Sequence, residues 1–380
     1  MDRILTGKGN GYGFDTPTTA FNDNEDLPYT DEVKRETDAI YDRVKDVILP
    51  EEWPVHAPLV HAINTLKRQK NAVILAHNYM TPEIFHGVGD LMGDSLALAQ
   101  MAAKTDADII VQAGVHFMAE TAKILAPNKT VLIPDMRAGC SLAASITGRD
   151  VALIKQKYPG VPVVTYVNTS ADVKAESDVC CTSSNAVQVV EWAAKEWGSD
   201  TVIMIPDEYL ARNVAANTDV RILSWKGACE VHERFTAEDV EALREAHPGA
   251  IILTHPESPS AVVKAADFAG STAAMADFVK THKPATAVLL TECSMSDNVA
   301  VDATATKFVR PCNLCPHMKR ITLRNIYEAL KHERHAVEVD PGVAERARQS
   351  VQRMLDLPKP DKPARFDPAR EAGPIELVTV

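Results

Sequence analysis

Apolar residues near the start of the chain fall into a helical rhythm. Val33, Ile40, Val44 and Ile48 recur at a period of roughly 3.6 after Thr30. Asp31 and Glu32 stand in the first turn and Pro50 lies beyond, so a helix is expected between them. Residues 61–70 read as a second helix. From about residue 71 to 330 the pattern changes to short β-branched runs alternating with amphipathic stretches, as in parallel α/β layers. These runs repeat. AVILAH (72–77), VPVVTYV (161–167) and AIILTH (250–255) lead into His77-Asn78-Tyr79, Tyr166-Val167-Asn168 and His255-Pro256-Glu257, whose first residues are 89 and 89 positions apart. Small hydroxyl residues expected to open helices follow, Ser95, Ser183 and Ser271, 88 and 88 apart. A second apolar run comes next (ADIIVQAG, DTVIMIPD, ATAVLLTE), then a third (TVLIPD, DVRILSW, TKFVRP), and after the third a cysteine: Cys140, Cys229 and Cys315, 89 and 86 apart.

Three β-α-β-α-β units in phase predict an α/β protein of three similar domains around a pseudo-three-fold axis, with the active site at the centre. The domains are expected over 61–148, 149–237 and 238–330, after an N-terminal extension (1–60) that is loose up to about residue 30. A C-terminal helix and tail (331–380) complete the chain, and the Pro-rich stretch after Leu357 is expected to form an irregular strap or to be mobile.

Composition adds limits. At 380 residues, 46% hydrophobic and 24% charged, the chain is ordinary globular material. Its net charge of -12 and pI near 5.5 argue against a general nucleic-acid or anionic-membrane surface, while leaving room for a local basic pocket for a small anion. No apolar run of about eighteen residues is present, and the first residues lack the apolar core of a secretory signal, so a cytoplasmic protein is expected. In that compartment the seven cysteines are expected to stay reduced, as buried thiols, metal ligands or catalytic groups.

In parallel α/β units, active groups gather at the carboxyl ends of strands. Three thiolates meeting there form a soft S₃ set suited to zinc or to an iron–sulfur cluster. A structural zinc would call for a fourth protein ligand, whereas a [4Fe–4S] cube held by three cysteines keeps one iron open for Lewis-acid work. The helix-opening hydroxyls are N-caps as isolated features, at about 1 kcal/mol each. Three helix N-termini converging would bind carboxylates and phosphate, with His77, His255, Glu257 and Tyr79 handling protons beside them. Cys180, Cys181 and Cys293 read as buried small residues. Cys312 and Cys315 form a CxxC able to close as a redox-sensitive disulfide. Trp192 and Trp197 read as packing, and His86, His116, His282 and His335 as surface or satisfied core residues.

The stretches AHNYMTPEI and GVGDLMGDSLALA (within 76–99), PDMRAGCSLA (134–143), YVNTSADVKAESDVCCTSSNAV (166–187), WKGACEVHERF (225–235), THPESP (254–259), AGSTAAM (269–275) and CPHMKRITL (315–323) resemble the quinolinate synthases in order and spacing. The resemblance implies a monomeric or dimeric enzyme of three similar three-layer αβα domains that condenses iminoaspartate with dihydroxyacetone phosphate to quinolinate, phosphate and two waters in NAD biosynthesis. It implies a functional link to an aspartate-oxidising enzyme, and one [4Fe–4S] cluster on Cys140, Cys229 and Cys315. It further implies substrate binding by His77, Ser95, Tyr166, Asn168, Ser183, His232, His255, Ser271 and Thr272, with Tyr79 and Glu257 in proton transfer. Another [4Fe–4S] hydro-lyase acting on a hydroxy-acid, and a non-catalytic iron–sulfur sensor, are the alternative readings.

Overall fold

The computed structural model describes residues 27–358, 365–367, 369–370 and 375–380. Most of the stretch expected to be loose, residues 1–26, lies outside them, as do parts of the tail. Helix α1 (Asp31–Val44) starts where the pattern places it, with the Thr30 hydroxyl accepting from the Val33 N–H. Helix α2 (Trp53–Gln69) starts earlier than the expected residue 61. Its prolines hid that start: Pro54 occupies the first turn, where no backbone donor is needed, and Pro58 gives up one hydrogen bond inside the helix.

Three runs of the same construction follow. The first is β1 (Ala72–His77), α3 (Pro82–Phe85), β2 (Leu91–Gly93), α4 (Ser95–Lys104), β3 (Ile109–Ala113), α5 (His116–Leu125), β4 (Thr130–Leu132) and α6 (Ser141–Ala144). The second is α7 (Gly148–Lys157), β5 (Val163–Tyr166), α8 (Ala171–Glu176), β6 (Val179–Cys181), α9 (Ala186–Trp197), β7 (Thr201–Ile205), α10 (Glu208–Ala215) and β8 (Arg221–Ser224). The third is α11 (Ala237–Ala246), β9 (Ile251–Thr254), α12 (Ser260–Ala265), β10 (Phe268–Gly270), α13 (Thr272–His282), β11 (Thr286–Leu290), α14 (Ser294–Asp302) and β12 (Lys307–Val309). Each builds its own parallel sheet, in the orders β2-β1-β3-β4, β6-β5-β7-β8 and β10-β9-β11-β12. The central strands are buried along nearly their whole length, because helices cover both faces.

Each unit thus has four strands where the sequence pattern predicted three. The additional strands, β2, β6 and β10, are three residues long, and each is tied down by an aspartate just before it. Asp90, Asp178 and Asp267 accept from the N–H of Ile74, Val163 and Ile252 at the starts of β1, β5 and β9, each at 2.8 Å. A cation from the helix preceding each unit's first strand holds the same carboxylate: Lys67 at 2.7 Å, and Lys155 and Arg244 at 2.8 Å. That cation also donates to the carbonyl two residues before the aspartate, on Val88, Glu176 and Ala265.

Helix α15 (Leu323–His332) packs on α2, and α16 (Pro341–Asp356) lies along α8 and α5, where Ala347 joins Ile124 and Ala171 in a small core. The described parts of the tail are ordered as edge strands: β13 (Arg365–Phe366) adds antiparallel to β10, and β14 (Glu376–Leu377) adds parallel to β8.

Candidate active site

The carboxyl ends of the three sheets open on one cavity, about 700 Å³ of empty space counted with its open mouth. His77, Tyr79, Ser95, Cys140, Tyr166, Asn168, Ser183, Cys229, His255, Glu257, Thr272 and Cys315 line it. His232 is bonded to Glu257 behind that lining, and Ser271 is fully buried as the N-cap of α13, accepting from the Ala274 N–H. The expectation of a hydroxyl opening each helix holds for Ser95, the first residue of α4, and for Ser271, but the N-cap role holds for Ser271 alone of the three. Asp94 caps α4 through the Ala97 N–H, so Ser95 is the first helical residue, and Ser183 sits in the turn ahead of α9. A carboxylate caps as well as a hydroxyl, and Asn185 shapes that turn by accepting from the Thr182 N–H at 2.7 Å.

The cavity's donors form a connected chain. Glu257 accepts from the Tyr166 hydroxyl at 2.5 Å and pairs through its other oxygen with His232 Nδ1 at 2.7 Å. His232 Nε2 lies 2.9 Å from the Thr291 hydroxyl, which in turn lies 2.6 Å from the Tyr79 hydroxyl. Burial pushes Glu257 up, but His255, His232 and the Tyr166 hydroxyl outweigh it, and the carboxyl is held well below the usual range. A carboxylate there makes His232 Nδ1 a donor, with Nε2 facing the Thr291 hydroxyl on the other side of the ring. Both phenols are pushed well above their ordinary value, chiefly by burial and then by Glu257, so they stay protonated.

His77 Nδ1 accepts from the Tyr79 N–H at 3.2 Å, and His255 Nδ1 from the Glu257 N–H at 3.3 Å. Both rings therefore carry their proton on Nε2. Burial lowers them to about 4 and about 3 respectively, so they are neutral donors at physiological pH. The Asn168 Oδ1 is buried with no partner, an acceptor left for whatever fills the cavity.

Each of the three cysteines has the same local nest. The backbone N–H groups two and three residues on favour each thiolate, those of Leu142 and Ala143 for Cys140, of Val231 and His232 for Cys229, and of His317 and Met318 for Cys315. Burial still drives all three thiols up, Cys140 to about 12, so only a bound cation would hold them as thiolates. Cys229 Sγ, a His232 nitrogen and a Glu257 oxygen also lie within 4.8 Å of one another. That mixed set is a weaker candidate, because His232 and Glu257 are already committed to each other.

The proposed pairing of Cys312 with Cys315 is not what forms. Cys312 is disulfide-bonded to Cys293 with a Cα–Cα distance of 5.0 Å, and Cys315 is a free thiol. Asn313, next to Cys312, is bridged in parallel to Glu292, next to Cys293, which brings Cys312 to Cys293. Cys293 is accordingly a disulfide partner and not a simple buried thiol. Cys180 and Cys181 are buried free thiols as expected, and Trp192 and Trp197 pack edge to face at 5.7 Å. His86, His116, His282 and His335 lie outside the cavity lining.

Sequence reasoning missed Thr291 and Lys319. Lys319 pairs with the buried Glu292 at 2.8 Å and donates to the Tyr79 carbonyl at 2.8 Å. Thr291 and Glu292 follow directly on the apolar run of β11, at the strand end where functional groups were expected. Lys319 comes four residues after a cysteine in phase.

A family model described as Quinolinate synthetase A protein matches residues 61–356. The quinolinate synthase of Caulobacter vibrioides (strain NA1000 / CB15N) is 65% identical over 352 residues, 92% of this chain and 96% of that protein. Quinolinate synthase 1 of Mesorhizobium japonicum is 67% identical over 317 residues, 83% of this chain and 97% of its own length. The quinolinate synthase of Xylella fastidiosa is 66% identical over 298 residues, 78% and 87% of the two chains. With the match running through all three sheets and every residue of the cavity lining, the chain belongs to the quinolinate synthetase A family of enzymes.

Proposed function

We propose that this chain is a quinolinate synthase of NAD biosynthesis, and that the cavity is where iminoaspartate and dihydroxyacetone phosphate condense to quinolinate with loss of phosphate and two waters. The observation that carries the reading is the convergence of three free thiols, two neutral imidazoles and a carboxylate–phenol network on one cavity. The three backbone nests fit a cluster held by Cys140, Cys229 and Cys315. A [4Fe–4S] cluster so held would supply one iron without a protein ligand, a Lewis acid toward a substrate oxygen.

The chain's own groups divide the remaining work. His77 and His255, neutral and donating through Nε2, suit substrate carboxylates without requiring protonation. Asn168 Oδ1 accepts from a substrate N–H, and Ser95, Ser183 and Thr272 provide the hydroxyls of the anion sites, with Ser271 capping the helix behind Thr272. Ring closure needs protons removed from carbon and delivered to departing hydroxyls. Glu257, ionised, serves as the base, and Tyr79, protonated, as the acid, with Tyr166 and His232 holding the carboxylate between them.

The three sheets correspond in this reading to domains over 61–148, 149–237 and 238–330, set about a pseudo-three-fold axis. No helix among the described residues is long and apolar enough to cross a membrane. The enzyme is read as cytoplasmic, a monomer or homodimer, and supplied by an aspartate-oxidising enzyme.

Anaerobic purification followed by iron, sulfide and visible-absorption measurements tests the reading. Cys140→Ser, Cys229→Ser and Cys315→Ser are each expected to abolish the brown chromophore, while Glu257→Gln and Tyr79→Phe keep it and lose most turnover. Full iron content in any of the three cysteine variants would sink the ligand assignment, and wild-type kcat in the other two would sink the acid–base roles.

A further inference from the structure

Tyr79 and Glu257 sit in loops of one construction. In both, a histidine two residues earlier accepts the reactive residue's N–H, and that histidine's carbonyl accepts from the N–H three residues on, Met80 at 2.9 Å and Ser258 at 3.0 Å. Each loop is also gripped from a different unit. Nδ2 of Asn213, on α10 of the second unit, donates to the carbonyls of Pro256 and Ser258 at 2.8 and 2.9 Å, those on either side of Glu257. Nδ2 of Asn298, on α14 of the third unit, donates to the carbonyls of Asn78 and Met80 at 3.0 and 2.7 Å, those on either side of Tyr79. The corresponding helix of the first unit, α5, offers Glu120, which accepts from the Ala171 N–H and straddles neither of the proton-transfer residues.

Both carboxamides are buried, 3% and 5% exposed. Burying such a group costs free energy unless its donors are used, and an apolar side chain would serve mere packing at lower cost. Fixing the carbonyls on both sides of one residue restrains its backbone, and so the direction of its side chain. A misplacement of about 1 Å at a reacting group costs on the order of a hundredfold in rate. We propose that Asn213 and Asn298 are positioning residues, Asn213 aiming Glu257 and Asn298 aiming Tyr79, each from the unit that precedes the loop around the cavity. This rests on the acid–base roles proposed above.

The test crosses the clamps with their targets. Serine is too short to span both carbonyls. Asn213→Ser and Asn298→Ser are therefore expected to keep iron content and visible spectrum, and to lower kcat by about tenfold or more while KM stays within about threefold. In single-turnover assays, Asn213→Ser should add nothing to Glu257→Gln but retain its full effect on Tyr79→Phe. Asn298→Ser should show the reverse pattern. Unchanged kcat, or the same loss in every background, would overturn the proposal by marking the asparagines as general scaffolding. Wild-type turnover in Glu257→Gln or Tyr79→Phe would instead remove the role on which the matching clamp rests. Should the serine variants lose iron or unfold, Asn213→Asp and Asn298→Asp, which keep the volume and lose the amide donor, carry the same cross.

Discussion

Burial takes the imidazoles of His77 and His255 down to about 4 and about 3, while unfolded histidine titrates near 6.5. As pH falls below 6.5 the unfolded chain takes up protons that the folded protein refuses. The stability these groups contribute is therefore complete above pH 6.5 and is lost as pH drops through 6.5 toward 4 and then 3, on the order of 8 kcal/mol in all. The urea midpoint should fall over that window, and His255→Asn should flatten the fall. A midpoint in the native sequence that does not move between pH 6.5 and 4 would contradict this. These two histidines were legible in the chain because they recur in phase at the ends of apolar runs. Their neutrality was not, since it depends on what covers them. Thr291 was still harder to find: a threonine at the end of a strand looks like any other β-branched residue until its hydroxyl is seen between Tyr79 and His232.

The long strands and most helices were legible because an apolar run or a 3.6 period extends over enough residues to stand out. β2, β6 and β10 were not, because three residues show no period. Their signal was a charge repeat, Lys67, Lys155 and Arg244 with Asp90, Asp178 and Asp267, which needs the fold before it reads as pairing. The Cys293–Cys312 bond shows the reverse difficulty, since a nearby CxxC in the chain pointed to the wrong partner. That bond ties the start of α14 to the segment carrying Cys315 across a separation of 19 residues. A loop of that size is worth about 3 kcal/mol. In non-reducing buffer Cys312→Ser is expected to lose roughly that much by urea titration, while taking up iron as the unaltered chain does. Loss of iron binding would give Cys312 a part in the metal site that the Cys315 nest does not suggest.

Across the molecule, the three sheets were foreseen from spacing alone, and the meeting of their loops from the rule that strand ends carry function. In this acidic protein of net charge -12 the cavity is lined by the carboxylates of Asp94, Glu230 and Glu257 as well as by the neutral imidazoles of His77 and His255, so the proposed binding of anions there would rest on neutral donors and not on bulk positive charge. At this scale the tail resisted reading, since its Pro-rich composition carries no periodicity. What it does follows from where β13 and β14 lie. Open sheets end in rows of unpaired N–H and C=O groups that invite other chains to add on, and β10 and β8 would be such edges without their short partners. The tail is therefore expected to guard these two edges against self-association. A chain ending at Leu357 should keep its cavity and its spectrum yet form concentration-dependent aggregates visible by light scattering, whereas a fully monodisperse truncation would show that those two edges need no cover.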